Sequence, residues 1–319
     1  MAKPKMEEII EPVPVELLEK ELNSDRFVRQ TNYGNNEIYI VTYKNSPNVV
    51  KEIGRLRELS FRQAGGGTGK SVDIDDYDIS DNPYNQLVVW EPVKKEIIGG
   101  YRFLTFSHIP KGELKNARLA TAGLFNFSDE FINNYLPYSI ELGRSFVQPE
   151  YQARNAGRKA VFALDNLWDG LGAIVVEYPS KKYFFGKITM YEHFDLYARD
   201  LIHFFFSKYF KDDLGLMVPK KPVSYYNSID ELAKIFSGNS YDLDYRILSK
   251  KVRERNENIP PLFNSYMNLS PTMKVFGTAV NYGFGDVEET GILITIEDIY
   301  PSKKHRHIAT YAKKGMSAE

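Results

Sequence analysis

Two apolar runs, QLVVWEP from Gln86 to Pro92 and EIIGGYRFLTF from Glu96 to Phe106, are parted only by Val93, Lys94 and Lys95. No other feature constrains the fold as tightly. Both runs are rich in β-branched and aromatic residues. A connection of three residues is too short for a crossover, so the pair predicts an antiparallel hairpin. YSIELGRSFVQP, starting at Tyr138, reads as a further strand, as do KYFFGKITM from Lys182 and the late run ILITIEDI. Upstream, Phe27 to Thr31 and Ile38 to Tyr43 flank the turn chemistry of YGNN.

Helical spacing alternates with these strands. Asn45, Ser46 and Pro47 form a helix start, and Val50, Ile53, Leu56, Leu59 and Ser60 recur at helical intervals to about Gln63. Further helices are predicted from Val15 to Leu22, from Tyr151 to about Gly170, and over the aromatic segment FDLYARDLIHFFFSKYF. Two or three more fall between Ser228 and about Asn268. The order predicts an α/β (α+β layered) fold, a mixed central sheet flanked by helices. Residues 1–24 read as an N-terminal arm and 25–319 as one domain, with 191–270 a largely helical elaboration.

Composition narrows the chemistry. The 319 residues carry 41 Lys and Arg against 42 Asp and Glu, which argues against a dedicated nucleic-acid binder. Cysteine is absent, so a disulfide framework, a thiolate metal site and a cysteine nucleophile are excluded. The start, MAKPKMEEIIEPVPVELLEKE, has no apolar signal-peptide core, and no stretch approaches the ~20 apolar residues of a membrane-spanning helix. The expectation is a cytoplasmic protein, with peripheral contact at the inner face of the cytoplasmic membrane left open.

Ala64, Gly69, Lys70 and Ser71 satisfy a loose phosphate-loop spacing. That motif needs a strand before it and a helix after it. Here a helical pattern precedes it and the carboxylates Asp73, Asp75, Asp76 and Asp78 follow, so both contexts fail. The alternative is a flexible glycine loop able to fold over a substrate.

A more informative set runs across four segments. Arg57 and Phe61 share a helix face about one turn apart. Asp75 and Asp78 follow as DxxD, Arg102 lies in GGYRFL, and Glu141, Arg144 and Ser145 lie in ELGRS. In a regular strand Glu141 and Arg144 point to opposite faces, and Gly143 between them suits a bulge that reconciles them.

This order resembles the hemolysin-like branch of the GNAT superfamily, the ornithine-lipid and glycine-lipid N-acyltransferases, relatives of the autoinducer synthases. ELGRSFVQPEY is its most specific piece, and IPPLFNSYMNLS resembles the family's tail segment, with Ser270 at a position that is usually small. The likeness covers about Val50 to Asp298. It implies a GNAT-like fold with splayed strands, and transfer of a long-chain acyl group, its 3-hydroxylation left open, to the α-amine of glycine or ornithine. The donor would be acyl carrier protein, through its 4'-phosphopantetheine thioester, with no bound cofactor and no metal. The product would be an N-acyl amino acid, a lyso-lipid.

By the same resemblance Glu141 is the proton acceptor and Arg144 its catalytic partner. Asp75 and Asp78 would hold the ammonium group or order the loop. Arg102 or Arg144 would pair with the substrate carboxylate, and Arg57, Phe61 and Ser145 would line the substrate site. Arg154, Gly157 and Arg158, in QARNAGRKA, would meet the carrier arm, although Lys159 replaces the superfamily's last small residue. Two other readings stay open: a homoserine-lactone-type synthase, which usually carries a tryptophan soon after RxxxF that is missing here, and an inactive binding module on the same fold.

Structural readings stand beside these. Arg57 could simply tie its helix to the acidic loop. Phe194, Tyr197, Leu201 and Phe204 form a stripe whose ordinary cause is core packing; thickened by Phe205, Phe206, Tyr209 and Phe210, it also suits a membrane-surface or acyl-chain groove. The basic clusters at Lys220–Lys221, Lys250–Arg255 and Lys303–Arg306 suit solvent, anionic lipid or a carrier protein. His305 and His307 lack an evident third metal ligand.

Overall fold

The computed structural model describes residues 6–106, 109–152, 158–236, 238 and 240–311, without side-chain placement at 111 and 158–161. Along the chain the strands are β1 (Phe27–Gln30), β2 (Glu37–Val41), β3 (Asn85–Glu91), β4 (Glu96–Thr105), β5 (Phe125–Phe127), β6 (Ser139–Val147), β7 (Tyr183–Met190), β8 (Met217–Pro219), β9 (Lys274–Asn281) and β10 (Val287–Thr295). The helices are α1 (Val15–Glu21), α2 (Pro47–Gln63), α3 (Asp76–Ile79), α4 (Arg158–Glu177), α5 (Leu196–Tyr209), α6 (Ile229–Ile235), α7 (Tyr241–Arg253), α8 (Pro261–Met267) and α9 (Pro301–His307). This is the expected α/β class. The chain divides into two compact units, Met1–His108 with Tyr138–Lys182 and Tyr300–Glu319, and Ile109–Pro137 with Tyr183–Ile299.

In the first unit β1, β2, β3, β4 and β6 pair in that order, every pair antiparallel, and β3 and β4 form the expected hairpin. The five inner residues of β3 are all buried, because both faces of the sheet are covered. Arg57 of α2 bonds to Gln86 on one face. Leu87, the next residue, points the other way and meets α4 at Gly170. The helix predicted to stop near Gly170 continues to Glu177. Its glycines serve close approach rather than termination: a Cβ at Gly172 would come within 1.9 Å of the His307 carbonyl oxygen of α9. The N-terminal arm closes the far end of α2, where the Glu21 carboxylate accepts the backbone amides of Asn48 and Val49 at 3.2 and 2.9 Å.

In the second unit β10 pairs with β7 on one side and β9 on the other, all antiparallel, and β5 pairs with β8. α5 supplies much of the core. Its buried positions are Ala198, Arg199, Asp200, Leu201, Ile202, Phe205 and Phe206, so the apolar stripe is rotated from the one the sequence suggested. Phe206 stacks on Phe263 with ring centroids 5.6 Å apart, and Phe205 meets Phe236, Tyr241 and Tyr245. Among the described residues no helix is long and apolar enough to cross a membrane.

Candidate active site

The site is built on the buried face of α2 and the loop that follows it. A Cβ at Gly54 would lie 2.7 Å from the side chains of both Val72 and Ile74, so only glycine lets this loop cross the helix. The Asp73 amide donates to the Gly54 carbonyl at 3.1 Å, which pins the crossing one turn before Arg57. The loop then enters α3. Asp75 is its N-cap and accepts from the Tyr77 amide at 2.9 Å, while the Asp75 amide donates to the Asp78 carboxylate at 3.2 Å. The DxxD spacing is therefore first of all a capping box. It also aims both carboxylates at the sheet.

There they meet three arginines. Arg57 Nη1 donates to Asp78 at 3.2 Å, and Gln86 Nε2 joins the same carboxylate at 2.9 Å. Arg102 lies 2.7 Å from Asp75 and 3.2 Å from Asp78, with its guanidinium over the rings of Tyr77 and Tyr84. Arg144 Nε donates to Asp73 at 2.9 Å, and its Nη2 lies 3.8 Å from Asp75. Arg57, Asp73, Asp78, Gln86, Arg102 and Glu141 are all buried. Phe61 is buried on the same helix as Arg57.

Register explains the convergence. Gln86 pairs with Arg102, Arg102 with Gly143 and Leu104 with Glu141, so Gln86, Arg102 and Glu141 share a face. Between Gly143 and Phe146 of β6 there is one residue more than between Arg102 and Gly100 of β4. This is the expected bulge, with the left-handed backbone at Arg144 (φ 52°) rather than at Gly143. It returns Arg144 to the face that Glu141 occupies. Ser145 lies within the bulge, half-buried. Glu141 accepts a hydrogen bond from the hydroxyl of Tyr84.

The charges reinforce one another. Burial alone would raise the Asp78 carboxyl, but Arg57 and Arg102 pull it well below the usual carboxylate range. Burial opposes the charge on Arg102, and Asp78 and Asp75 overcome it, so its pKa rises. Arg57, enclosed completely, is pushed down by burial despite Asp78 and Asp73. Asp73 Oδ1 and the Nε atoms of Arg57 and Arg102 are buried without a hydrogen-bond partner.

The glycine loop is not a free lid. Its Thr68 amide and hydroxyl and its Gly69 amide all donate to the buried carboxylate of Glu58, at 3.0, 2.7 and 2.7 Å. Arg62 pairs with Glu58 at 2.7 Å and bonds to the Glu7 carbonyl of the N-terminal arm. The loop follows a helix rather than a strand, so the phosphate-loop reading fails in the structure as well.

Asp165, Asp169 and His307 bring carboxylate oxygens and a ring nitrogen within 4.8 Å of one another. The sequence paired His307 with His305, but the structure instead sets His307 beside two carboxylates of α4. Asp169 already accepts from Asn32 and lies 2.8 Å from His307, and Asp165 pairs with Arg306 at 2.9 Å, so the cluster fastens α9 to α4. Arg154 and Gly157 lie outside the described residues, as does the side chain of Arg158. The sequence reading left Tyr84 and Gln86 out of the site and counted Asp73 only among the loop's carboxylates. The β3–β4 register, which sets Gln86 opposite Arg102, was the available signal.

Residues 56–160, which contain this arginine–carboxylate network and its bulged strand, match the acetyltransferase (GNAT) domain family. Two relatives named glycine N(alpha)-acyltransferase are similar over nearly the whole chain. The one from Phocaeicola vulgatus is 55% identical over 98% of this chain and 96% of its own length. The one from Bacteroides thetaiotaomicron is 55% identical over 98% and 93%. Among solved structures, the AHL synthase LasI aligns with a TM-score of 0.36 and 12% identity, over 81% of this chain and 89% of its own. The chain belongs to the same GNAT N-acyltransferase family as the two relatives, and it is an acyltransferase.

Proposed function

We propose that the enzyme transfers a long-chain acyl group, 3-hydroxylated chains included, from acyl carrier protein to the α-amine of glycine, forming an N-acylglycine for membrane lipid. The relatives' shared name supports the acceptor. One geometric observation carries the site. Arg144 and Asp75 are the two least buried charges of the arginine–aspartate network, at 17% and 30% exposure, and stand 3.8 Å apart. A zwitterion fits across such a pair, its carboxylate toward Arg144 and its ammonium toward Asp75. Asp78, fully enclosed, orders the loop instead.

The reaction needs an unprotonated amine, a positioned thioester and a proton carrier. Glu141 takes the ammonium proton, directly or through a water. Once that first proton has gone on to solvent, the amine nitrogen attacks the thioester carbon, the C–N bond forms, the C–S bond breaks, and the second N–H proton passes, again through Glu141, to the departing pantetheine thiolate. Tyr84 holds the Glu141 carboxylate in place. Arg154, Gly157 and Arg158 meet the carrier arm in this reading. The enzyme works in the cytoplasm, with peripheral contact at the membrane that takes its product.

Mass spectrometry of products formed from acyl carrier protein thioesters and a mixture of amino acids tests this. N-acylglycine is the expected product, reduced about 10²–10⁴-fold in Glu141→Gln and strongly in Arg144→Ala. N-acylornithine would replace the acceptor. No acylated amine from folded protein would sink the reading.

A further inference from the structure

The bulge of β6 returns Arg144 to the face of Glu141, yet a backbone conformation fixes only where an arginine side chain starts. Arg144 leaves the strand from a left-handed backbone, φ 52°, on a long stem with many rotamers. The direction of its guanidinium is therefore set by the contacts it makes.

Asp73 makes the shortest ion pair to it. The Asp73 carboxylate accepts from Arg144 Nε at 2.9 Å, whereas Asp75 lies 3.8 Å from Nη2. Nε is the inner nitrogen of the guanidinium, so a bond there fixes the plane of the group and aims its terminal nitrogens. Those two form a fork that matches a carboxylate. Asp73 is itself anchored. Its amide donates to the Gly54 carbonyl of α2 at 3.1 Å, and its neighbours Val72 and Ile74 close on Gly54, where a Cβ would lie 2.7 Å from each side chain. The Asp73 side chain is 1% exposed, against 17% for Arg144. An aspartate so enclosed acts through the arginine rather than on the substrate.

We propose that Asp73 is a positioning residue for acceptor recognition. It carries the rigid crossing at Gly54 through to Arg144, and so sets the preference for an amino acid over an amine that lacks the carboxylate. The inference rests on the assignment of the acceptor's carboxylate to Arg144. A guanidinium already held in place loses less freedom when the acceptor binds.

Acylation of glycine and of glycinamide by the full chain, at one pH and with one acyl carrier protein thioester, tests it. Glycinamide has the same α-amine and no carboxylate, and comparing the ratio of kcat/KM between variants cancels the different basicities of the two amines. Asp73→Ala should lower the glycine-to-glycinamide ratio about tenfold, with the loss in the KM for glycine rather than in kcat. Asp73→Asn gives up the charge, which also acts on Arg57 and Arg102, but keeps an acceptor oxygen for Nε. It should hold the ratio within about threefold of the wild type. Asp73→Leu, close to aspartate in shape and without an acceptor, replaces the alanine variant if that one shows no cooperative thermal transition. A merely structural Asp73 would weaken both amines together. An unchanged ratio in the folded alanine or leucine variant, or an equal fall in Asp73→Asn, would overturn the inference. Arg144→Ala distinguishes the two levels. If it lowers the ratio and the loss of Asp73 does not, the role of Asp73 alone fails. If Arg144→Ala also leaves the ratio unchanged, the carboxylate assignment fails and takes the inference with it.

Discussion

Each unit buries a cluster of charge, and the two clusters are balanced differently. In the first, Arg57, Arg102 and Arg144 face Asp73, Asp75 and Asp78, so each guanidinium has a carboxylate at 3.2 Å or less. In the second, Arg199 alone serves Asp200 and Glu288, with His203 beside them. The electrostatic outcomes differ accordingly. Asp78 is held well below the ordinary carboxylate range. Glu288 is pushed up by burial in spite of Arg199, and His203 is pushed down to about 4. Burial penalises charge in both places, and the sign of each shift depends on the group's own partners: Arg57 is pushed down in the first cluster, and Arg199 is raised by Asp200 and Glu288 in the second. The first cluster pairs each of its guanidinium groups closely, and the second leaves His203 Nε2 and Glu288 Oε2 buried without a hydrogen-bond partner.

The largest expected effect breaks the first balance. Asp78→Ala leaves Arg57 and Arg102 buried without their shared carboxylate and should cost about 3–5 kcal/mol in urea unfolding at pH 7. A loss below about 1 kcal/mol would show that Asp75, Gln86 and Asp73 suffice for both arginines, and the network would then be redundant rather than balanced.

The second effect sharpens the contrast through pH. His203 holds its proton less readily in the folded chain than in the unfolded one, where it titrates near 6.5. Between pH 6.5 and about 4 the unfolded chain therefore binds more protons, and stability falls as pH falls. The expected loss from pH 7 to pH 5 is roughly 2 kcal/mol for this residue. Glu288 acts in the opposite sense, since its raised carboxyl favours the folded state at low pH. Denaturation midpoints at pH 5 and 7 should converge in His203→Phe and diverge further in Glu288→Gln. Asp78 contributes to neither comparison, because its stabilisation is lost only below about pH 4.

The two clusters also differed in how far the sequence disclosed them. Arg57, Arg102 and Glu141 lie on strongly patterned elements, and the strand register brings Arg102 and Glu141 to one face, whereas Asp75 and Asp78 read as an acidic loop in the sequence and are aimed by its capping box. Asp73, Tyr84 and Gln86 join the site through the loop's crossing at Gly54 and through pairing partners that periodicity does not rank. The second cluster was invisible because Arg199 and Glu288 are 89 positions apart and meet only after α5 packs on the sheet. Local spacing also misread glycine. The helix expected to end near Gly170 runs on to Glu177, and Gly172 marks the contact between α4 and α9. β9 escaped notice because its alternation is broken at Gly277 and pairing with β10 completes it.

The smallest effect separates two jobs that one motif performs in the first cluster. Asp75 caps α3 and also pairs with Arg102, and its side chain is 30% exposed, so each contribution is modest. Asparagine caps a helix about as well as aspartate but cannot pair with a guanidinium as an ion. Asp75→Asn should therefore cost about 1 kcal/mol or less, the value of a partly exposed pair. Asp75→Ala should cost about 1 kcal/mol more, the value of the cap. Equal losses in the two variants would assign the whole contribution to charge, and an unchanged Asp75→Asn would assign it to the cap. Kinetics add an independent reading, because an aspartate that also holds the substrate ammonium raises the KM for glycine in both variants. A purely structural aspartate lowers stability and leaves that KM where it was.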